Sequence, residues 1–447
     1  TGFALMMKGR ADDRRLFEGE VKLNVMALVD SAGFDAEGLA KGVALGDYGL
    51  KQEDLTELKR LFEHATTFGS LIQVQERLAE KLPGLRQLSE ATSQDLFVSD
   101  ALTRLGLLVQ QAELLAAQYG AVVANPPYMG NKFHIPDLKK FLKDHYYGYD
   151  KDVFSAFIDR NLAFSKSHGR LSFMSPFVWM FISSYENMRA RLINEETITT
   201  LVQLEYSGFE GATVPICTFT LQKIHVDGQK SCFIRLSDFR GSDNQASKTL
   251  EAIRNRDCGW FFETVQDEFK KIPGSPIAYW LSPAVRESFV KHKRLDAMVK
   301  PQVGLQTGDN ERFLRYWSEV ARSRSCFTAR NSDEALSSSA KWFPLNKGGG
   351  FGKWYGFNEF VVNWENDGRE VKDYVVQRNP GSTYTKRVMS EDKYFHENVS
   401  WGLISNIRAS FRYNPHGFIS NVGGPSIYPE KDSLYYCAFL NTRVVCY

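Results

Sequence analysis

Asn125, Pro126, Pro127 and Tyr128 stand in one unbroken tetrapeptide whose parts add up to a chemistry. A side-chain amide oxygen and a rigid backbone carbonyl can each accept one N–H of an exocyclic amine. The amine of adenine is a poor nucleophile, because its lone pair is delocalised into the ring. Two accepted hydrogen bonds localise that pair and aim it at an electrophilic methyl. Two prolines stiffen the turn, so the second acceptor needs little reorganisation. The carbonyl of Pro126 has no competing local donor, since residue 127 lacks an N–H. Tyr128 offers an aromatic face to a base that must leave the duplex before its amine can be reached. The plainer reading is a tight surface turn, which Asn-Pro pairs often make.

The elements around the tetrapeptide favour the chemical reading. Ala121–Ala124 is short, apolar and β-compatible, and the two prolines must end it. Before it, Leu102, Leu105, Leu108, Val109 and Leu114 recur at helical spacing, predicting a helix over 99–119 that stops at Gly120. After it come a helix near 153–165, a strand in 170–174, a helix near 185–193, and strands near 200–205 and 217–222. This alternation predicts an α/β sandwich around a largely parallel sheet, with the tetrapeptide at the carboxyl end of a buried strand, where open α/β sheets place their sites. Upstream, residues 1–20 read as a helix, and 51–90 as helices interrupted near 66–70 and at Pro83-Gly84. The cluster Lys270–Pro276 reads as a linker within 241–285. Gly- and aromatic-rich stretches such as Lys347–Tyr355 predict an irregular, strand-rich second domain from about 286.

The chain has 447 residues, long enough for two or three domains. Its 55 basic and 53 acidic residues nearly cancel, so any polyanion-binding surface must be local. Six cysteines without a CxxC pair give no zinc knuckle, no redox dithiol and no other metal signal, and the plain reading is a reducing cytoplasm. No membrane span or signal peptide is evident. Both ends enter directly into helical patterns, so an excerpt of a longer protein is expected.

The chain resembles the adenine-specific DNA methyltransferases that use S-adenosyl-L-methionine, and more narrowly those of the BREX (Pgl) phage-defence systems, which are related to fused restriction–methylation enzymes. The resemblance is carried by Phe3–Phe17, YGAVVANPPYMG (119–130), YDKDVFSAFIDR (149–160), GRLSFMSPFVWM (169–180) and LEYSGFEGATVPICTFTL (204–221). GLQTGDNERFLRYW (304–317) resembles the opening of a target-recognition region. The resemblance implies a Rossmann-like methyltransferase sheet with a helical insertion over about 21–100, followed by a mixed, strand-rich recognition domain. It implies that Asn125 and the Pro126 carbonyl bind the adenine amine, that Tyr128 stacks on the flipped base, and that Phe209 packs its other face. Asp150 and Phe154 would lie near the cofactor or support the loop, with capping of the helix at Val153 an equal role for Asp150. Asn131, Lys132 and His134 would stand where phosphate passes. Double-stranded DNA is the implied partner, beside other defence proteins or a phage-encoded inhibitor, and no membrane. The glycine-rich cofactor turn and the ribose-binding acid of the family are not evident before Asn125, so the chain is expected to carry the base-side half of the site.

A local basic surface fits the DNA partner. Residues 291–330 hold nine Lys or Arg against four acids, interleaved with Phe313, Tyr316, Trp317 and Phe327. Lys132, Gln306, Thr307, Asn310, Arg312, Arg315, Lys347 and Lys353 are the candidate contacts, with Gln306 or Asn310 able to read an adenine edge. Two other readings compete: a methyltransferase acting on RNA or on a protein glutamine, and a non-catalytic DNA-recognition or scaffolding subunit.

Overall fold

The computed structural model describes residues 2–18, 23–206, 208, 214–404 and 408–446. The chain divides into two compact units, Thr1–Val290 and Lys291–Tyr447.

The first unit is built on a six-stranded sheet: β1 (Tyr119–Ala124), β2 (Ser165–Pro176), β3 (Thr197–Gln203), β4 (Ile216–Gln222), β5 (Lys230–Arg235) and β6 (Phe261–Val265), in spatial order β1-β2-β4-β3-β5-β6. It is mixed rather than largely parallel. β1 with β2 and β3 with β5 run parallel, while β2–β4, β4–β3 and β5–β6 are antiparallel. Among the described residues β1 pairs with β2 alone, and its Val123 is 83% exposed. Leu171, Phe173, Phe219, Leu221 and Phe233 of the inner strands are buried with Phe154, Ile158, Met188 and Leu192 from helices Val153–Phe164 and Glu186–Glu195. β-branched residues in TITTLVQ and ICTFTLQ suit those pleats.

A second core lies among the helices before β1, where Leu55, Leu58, Leu85, Leu88, Leu105 and Val109 are buried. The helix Leu96–Ala116 starts on Asp95, whose carboxylate accepts from Phe97 N and Val98 N. It stops at Ala116, short of Gly120, because Ala117 is already extended and Gly120 belongs to β1. Pro83 and Gly84 do not interrupt a helix; they form the first turn of Leu82–Ser89, where a missing N–H costs nothing. Any side chain at Gly84 would meet the Tyr48 carbonyl oxygen at 2.4 Å, which explains the glycine. The guanidinium of Arg160 joins the two cores, donating to Ser70 O (2.8 Å) and Leu115 O (2.7 Å). Residues 241–285 are not a free linker. They contain helix Ser242–Arg254 and β6, and Ile272, Ile277 and Tyr279 are buried.

The second unit is irregular, with short strands interleaved with short helices. It holds β7 (Leu314–Tyr316), β8 (Trp342–Asn346), β9 (Phe360–Asn363), β10 (Asn398–Trp401), β11 (Phe411–Asn414), β12 (Ile419–Ser420) and β13 (Ser426–Ile427). They form two small sheets, β12-β8-β9-β7 and β11-β10-β13. Phe313, Phe343, Leu345, Trp364, Tyr394 and Phe395 fill the core beside the first. Among the described residues no helix is long and apolar enough to cross a membrane.

Candidate active site

β1 delivers the tetrapeptide to the sheet edge. Its last pair is Ala124 with Phe173, and the chain then leaves the ladder at Asn125. Proline at 126 and 127 cannot extend the pairing, so the turn follows from the residues themselves. Asn125 is exposed, Pro126 is buried and Pro127 is exposed. The Tyr128 hydroxyl donates to Asn125 Oδ1 at 3.0 Å, which orients the amide and leaves one lone pair on that oxygen unused. Among the described residues no hydrogen bond reaches the Pro126 carbonyl.

The neighbouring strands complete the edge. Ser175 of β2 pairs with Cys217 of β4, Cys217 with Gln203 of β3, and Gln203 with Arg235 of β5. Burial pushes the Cys217 thiol up to about 12, so it is a neutral packing group. Burial also raises the Tyr128 phenol, with the nearby Cys217 a smaller cause. Past the end of β3, the exposed Tyr206 meets the buried Phe177 edge to face, with ring centroids 5.7 Å apart. Phe209, the expected second stacking ring, lies outside the described residues.

The exit from the tetrapeptide is clamped to the start of helix Val153–Phe164. Asp152 caps that helix, accepting from Phe154 N at 3.3 Å, and it also accepts from Met129 N at 2.9 Å. Val153 N returns a bond to Met129 O (3.1 Å), and Asn131 N bonds Lys151 O (3.1 Å). His134 Nε2 lies 2.8 Å from the same Met129 carbonyl, which can only accept, so Nε2 carries the proton. The cap is therefore Asp152 and not Asp150, which is half-buried and ion-paired with Lys151 at 3.4 Å. Two aspartates in YDKDVF compete for the position, and the one directly before the apolar helical pattern was the better signal. Desolvation raises the Asp152 carboxyl above its ordinary range.

The remaining expected contacts are mixed. Phe154 packs in the core against Tyr185, with centroids 5.8 Å apart, and is not available to a cofactor. Lys132 is exposed beside the loop, its ammonium 4.7 Å from the Phe133 ring centroid. In the second unit Thr307 is buried, and its hydroxyl donates to Asn310 Oδ1 (2.8 Å), so it is not a surface contact. Gln306 Oε1 accepts from Arg387 Nη1. Arg312 pairs with Glu370 at 2.8 Å, and Arg315 Nη1 donates to Glu311 O and Leu314 O, each at 2.6 Å. Lys347 sits over the Phe360 ring, and Lys353 Nζ donates to Asn441 O at 2.8 Å. These groups hold the unit together first; Asn310 and Arg312 keep exposed surface.

Residues 40–209 match the family model of the Eco57I restriction-modification methylase. The chain is 35% identical to the adenine-specific methyltransferase BrxX of Escherichia coli O9:H4 (strain HS), in an alignment covering 100% of this chain and 37% of that protein. It is 31% identical to the adenine-specific methyltransferase PglX of Lacticaseibacillus casei (strain Zhang), over 99% of this chain and 37% of the relative. Among solved structures, the Type IIL restriction-modification enzyme MmeI in complex with DNA is 11% identical, with 91% of this chain and 63% of that one covered and a TM-score of 0.41. The chain thus spans a little over a third of the length of the curated relatives it matches. Both adenine-specific methyltransferases are thus matched along essentially the whole of this chain, and the methylase model spans the tetrapeptide.

Proposed function

We propose that the protein methylates the N6 amine of an adenine extruded from duplex DNA, marking host DNA in phage defence, and that this chain supplies the acceptor side of the reaction. The supporting observation is the exposed Asn125 at the carboxyl end of β1, oriented by Tyr128 and followed by a Pro126 carbonyl that no described donor occupies. In this reading Asn125 Oδ1 uses its remaining lone pair to accept one N–H of the amine, and Pro126 O accepts the other. The nitrogen pair, withdrawn from the ring, is thereby held as a nucleophile on the amine. Tyr128 and Tyr206 supply aromatic faces near the position of the base.

The methyl donor of this reading is S-adenosyl-L-methionine. The residues expected beside it do not make a donor set for that group: Phe154 is core and Asp150 is ion-paired. No step is therefore assigned to them. The expected acceptor chemistry predicts that Asn125→Ala, in the full-length protein, lowers methylation by roughly 10²-fold or more while sparing duplex binding. Single-molecule sequencing of host DNA reads the modified atom and its sequence context. Undiminished N6-methyladenine in the variant would overturn the assignment.

A further inference from the structure

Past the Asn125–Tyr128 turn the chain runs Met129, Gly130, Asn131, Lys132, Phe133, His134 and then enters the helix Pro136–His145. The resemblance sets Asn131, Lys132 and His134 together where phosphate passes. The structure separates them. Lys132 and Phe133 are exposed, whereas His134 is half-buried. Its Nδ1 is buried and has no partner among the described residues, and its Nε2 lies 2.8 Å from Met129 O. A neutral imidazole owns a single N–H. Spent on Met129, it leaves nothing to donate to a phosphate.

The Met129 carbonyl has two lone pairs, and both are taken, one by Val153 N at 3.1 Å and one by His134 Nε2. The amide of the same residue donates to Asp152 Oδ1 at 2.9 Å. Both peptide planes that flank Met129 are therefore fixed, and the first of them starts at the Tyr128 carbonyl. Asp152 and Val153 grip from the start of one helix. His134 grips from the loop itself, five residues on, and closes 129–134 into a ring. Inside that ring Phe133 N donates to Gly130 O at 2.9 Å. His134 has φ −69° and ψ 134°, ordinary extended backbone, so its side chain reaches back without strain.

We propose that His134 is a positioning residue for methyl transfer, which acts through Met129 to hold the Asn125–Tyr128 turn in the geometry that accepts the adenine amine. The proposal rests on the reading of that turn as the acceptor site and removes His134 from the DNA contacts. A displacement of about 1 Å at a reacting group costs up to roughly a hundredfold in rate. A single bond to the neighbouring peptide is enough to prevent one.

The test uses the full-length protein and a duplex carrying the site that sequencing of host DNA identifies. Steady-state methylation gives kcat and KM, and fluorescence anisotropy gives the salt dependence of binding. His134→Ala is expected to lower kcat roughly tenfold, with KM for DNA and the salt slope like the parent. His134→Gln carries an amide N–H to about the reach of Nε2 and should recover most of kcat. His134→Asn stops near Nδ1 and should not. A side chain that only supports the fold would not separate Gln from Asn at equal Tm, so this pair decides even if the alanine variant melts early. Equal kcat in the Gln and Asn variants would overturn the proposal, and so would a flattened salt slope with a raised Kd. If Asn125→Ala loses methylation while His134→Ala turns over like the parent, only the positioning role fails. If Asn125→Ala methylates normally, the reading of the turn fails and the proposal with it.

Discussion

Asp152 does two jobs with one carboxylate, and both act on the proposed catalytic turn. As the helix cap it satisfies Phe154 N, and as an acceptor for Met129 N it fixes the residue that follows Tyr128. Replacing it with alanine removes the cap, at about 1 kcal/mol of stability, and leaves Met129 N without its partner. Asp152→Ala is then expected to lower kcat about tenfold or more, since small misplacements of a reacting group are costly, with little change in KM for DNA. Asp152→Asn keeps an acceptor oxygen and should recover most of kcat. Steady-state methylation kinetics of the three proteins checks this. Equal losses in Ala and Asn would show that charge, and not the hydrogen bond, is what matters. Tyr128 is tuned differently. Burial keeps its phenol protonated, so it continues to donate to Asn125 well above neutral pH.

At the scale of the element, the joint between helix Glu186–Glu195 and β3 holds an ionisable group out of place. Glu196 is buried, its Oε2 has no partner among the described residues, and desolvation raises its carboxyl to about 7 from 4.5, against smaller opposing effects of Lys223 and Arg191. A raised carboxyl binds its proton more tightly in the folded state. Stability is therefore full below about pH 4.5 and falls as pH rises toward 7, where the folded form also ionises. Glu196→Gln should remove that slope and gain on the order of 2 kcal/mol at pH 8. Urea unfolding at pH 5 and pH 8 measures it, and a parallel slope in both proteins would refute it. Helix and strand positions around the Asn125–Tyr128 turn were legible in sequence for local reasons. Apolar YGAVVA meeting two prolines can only be a strand that stops, and the periodicity after Asp152 can only be a helix. Strand direction was not legible, because ICTFTLQ reads the same whether it runs parallel or antiparallel. The tie between Asp152 and Met129 was hidden for the same reason, being a contact across 23 residues. Lys270–Pro276 misled because lysine, proline and glycine mark a turn equally well inside a packed unit.

For the whole molecule, the proposed function divides the work between the two units as the fold divides the chain. The acceptor turn lies in the first, and most of the basic candidates lie in the second. Net neutrality therefore conceals a local asymmetry, and many of the second unit's cations hold the fold before they meet any ligand. The proposed catalytic turn is tied at its exit to the start of the helix Val153–Phe164, through Asp152 to Met129 N and Val153 N to Met129 O. Any shift of that helix therefore carries Met129 with it, so the helix acts as a lever on the turn.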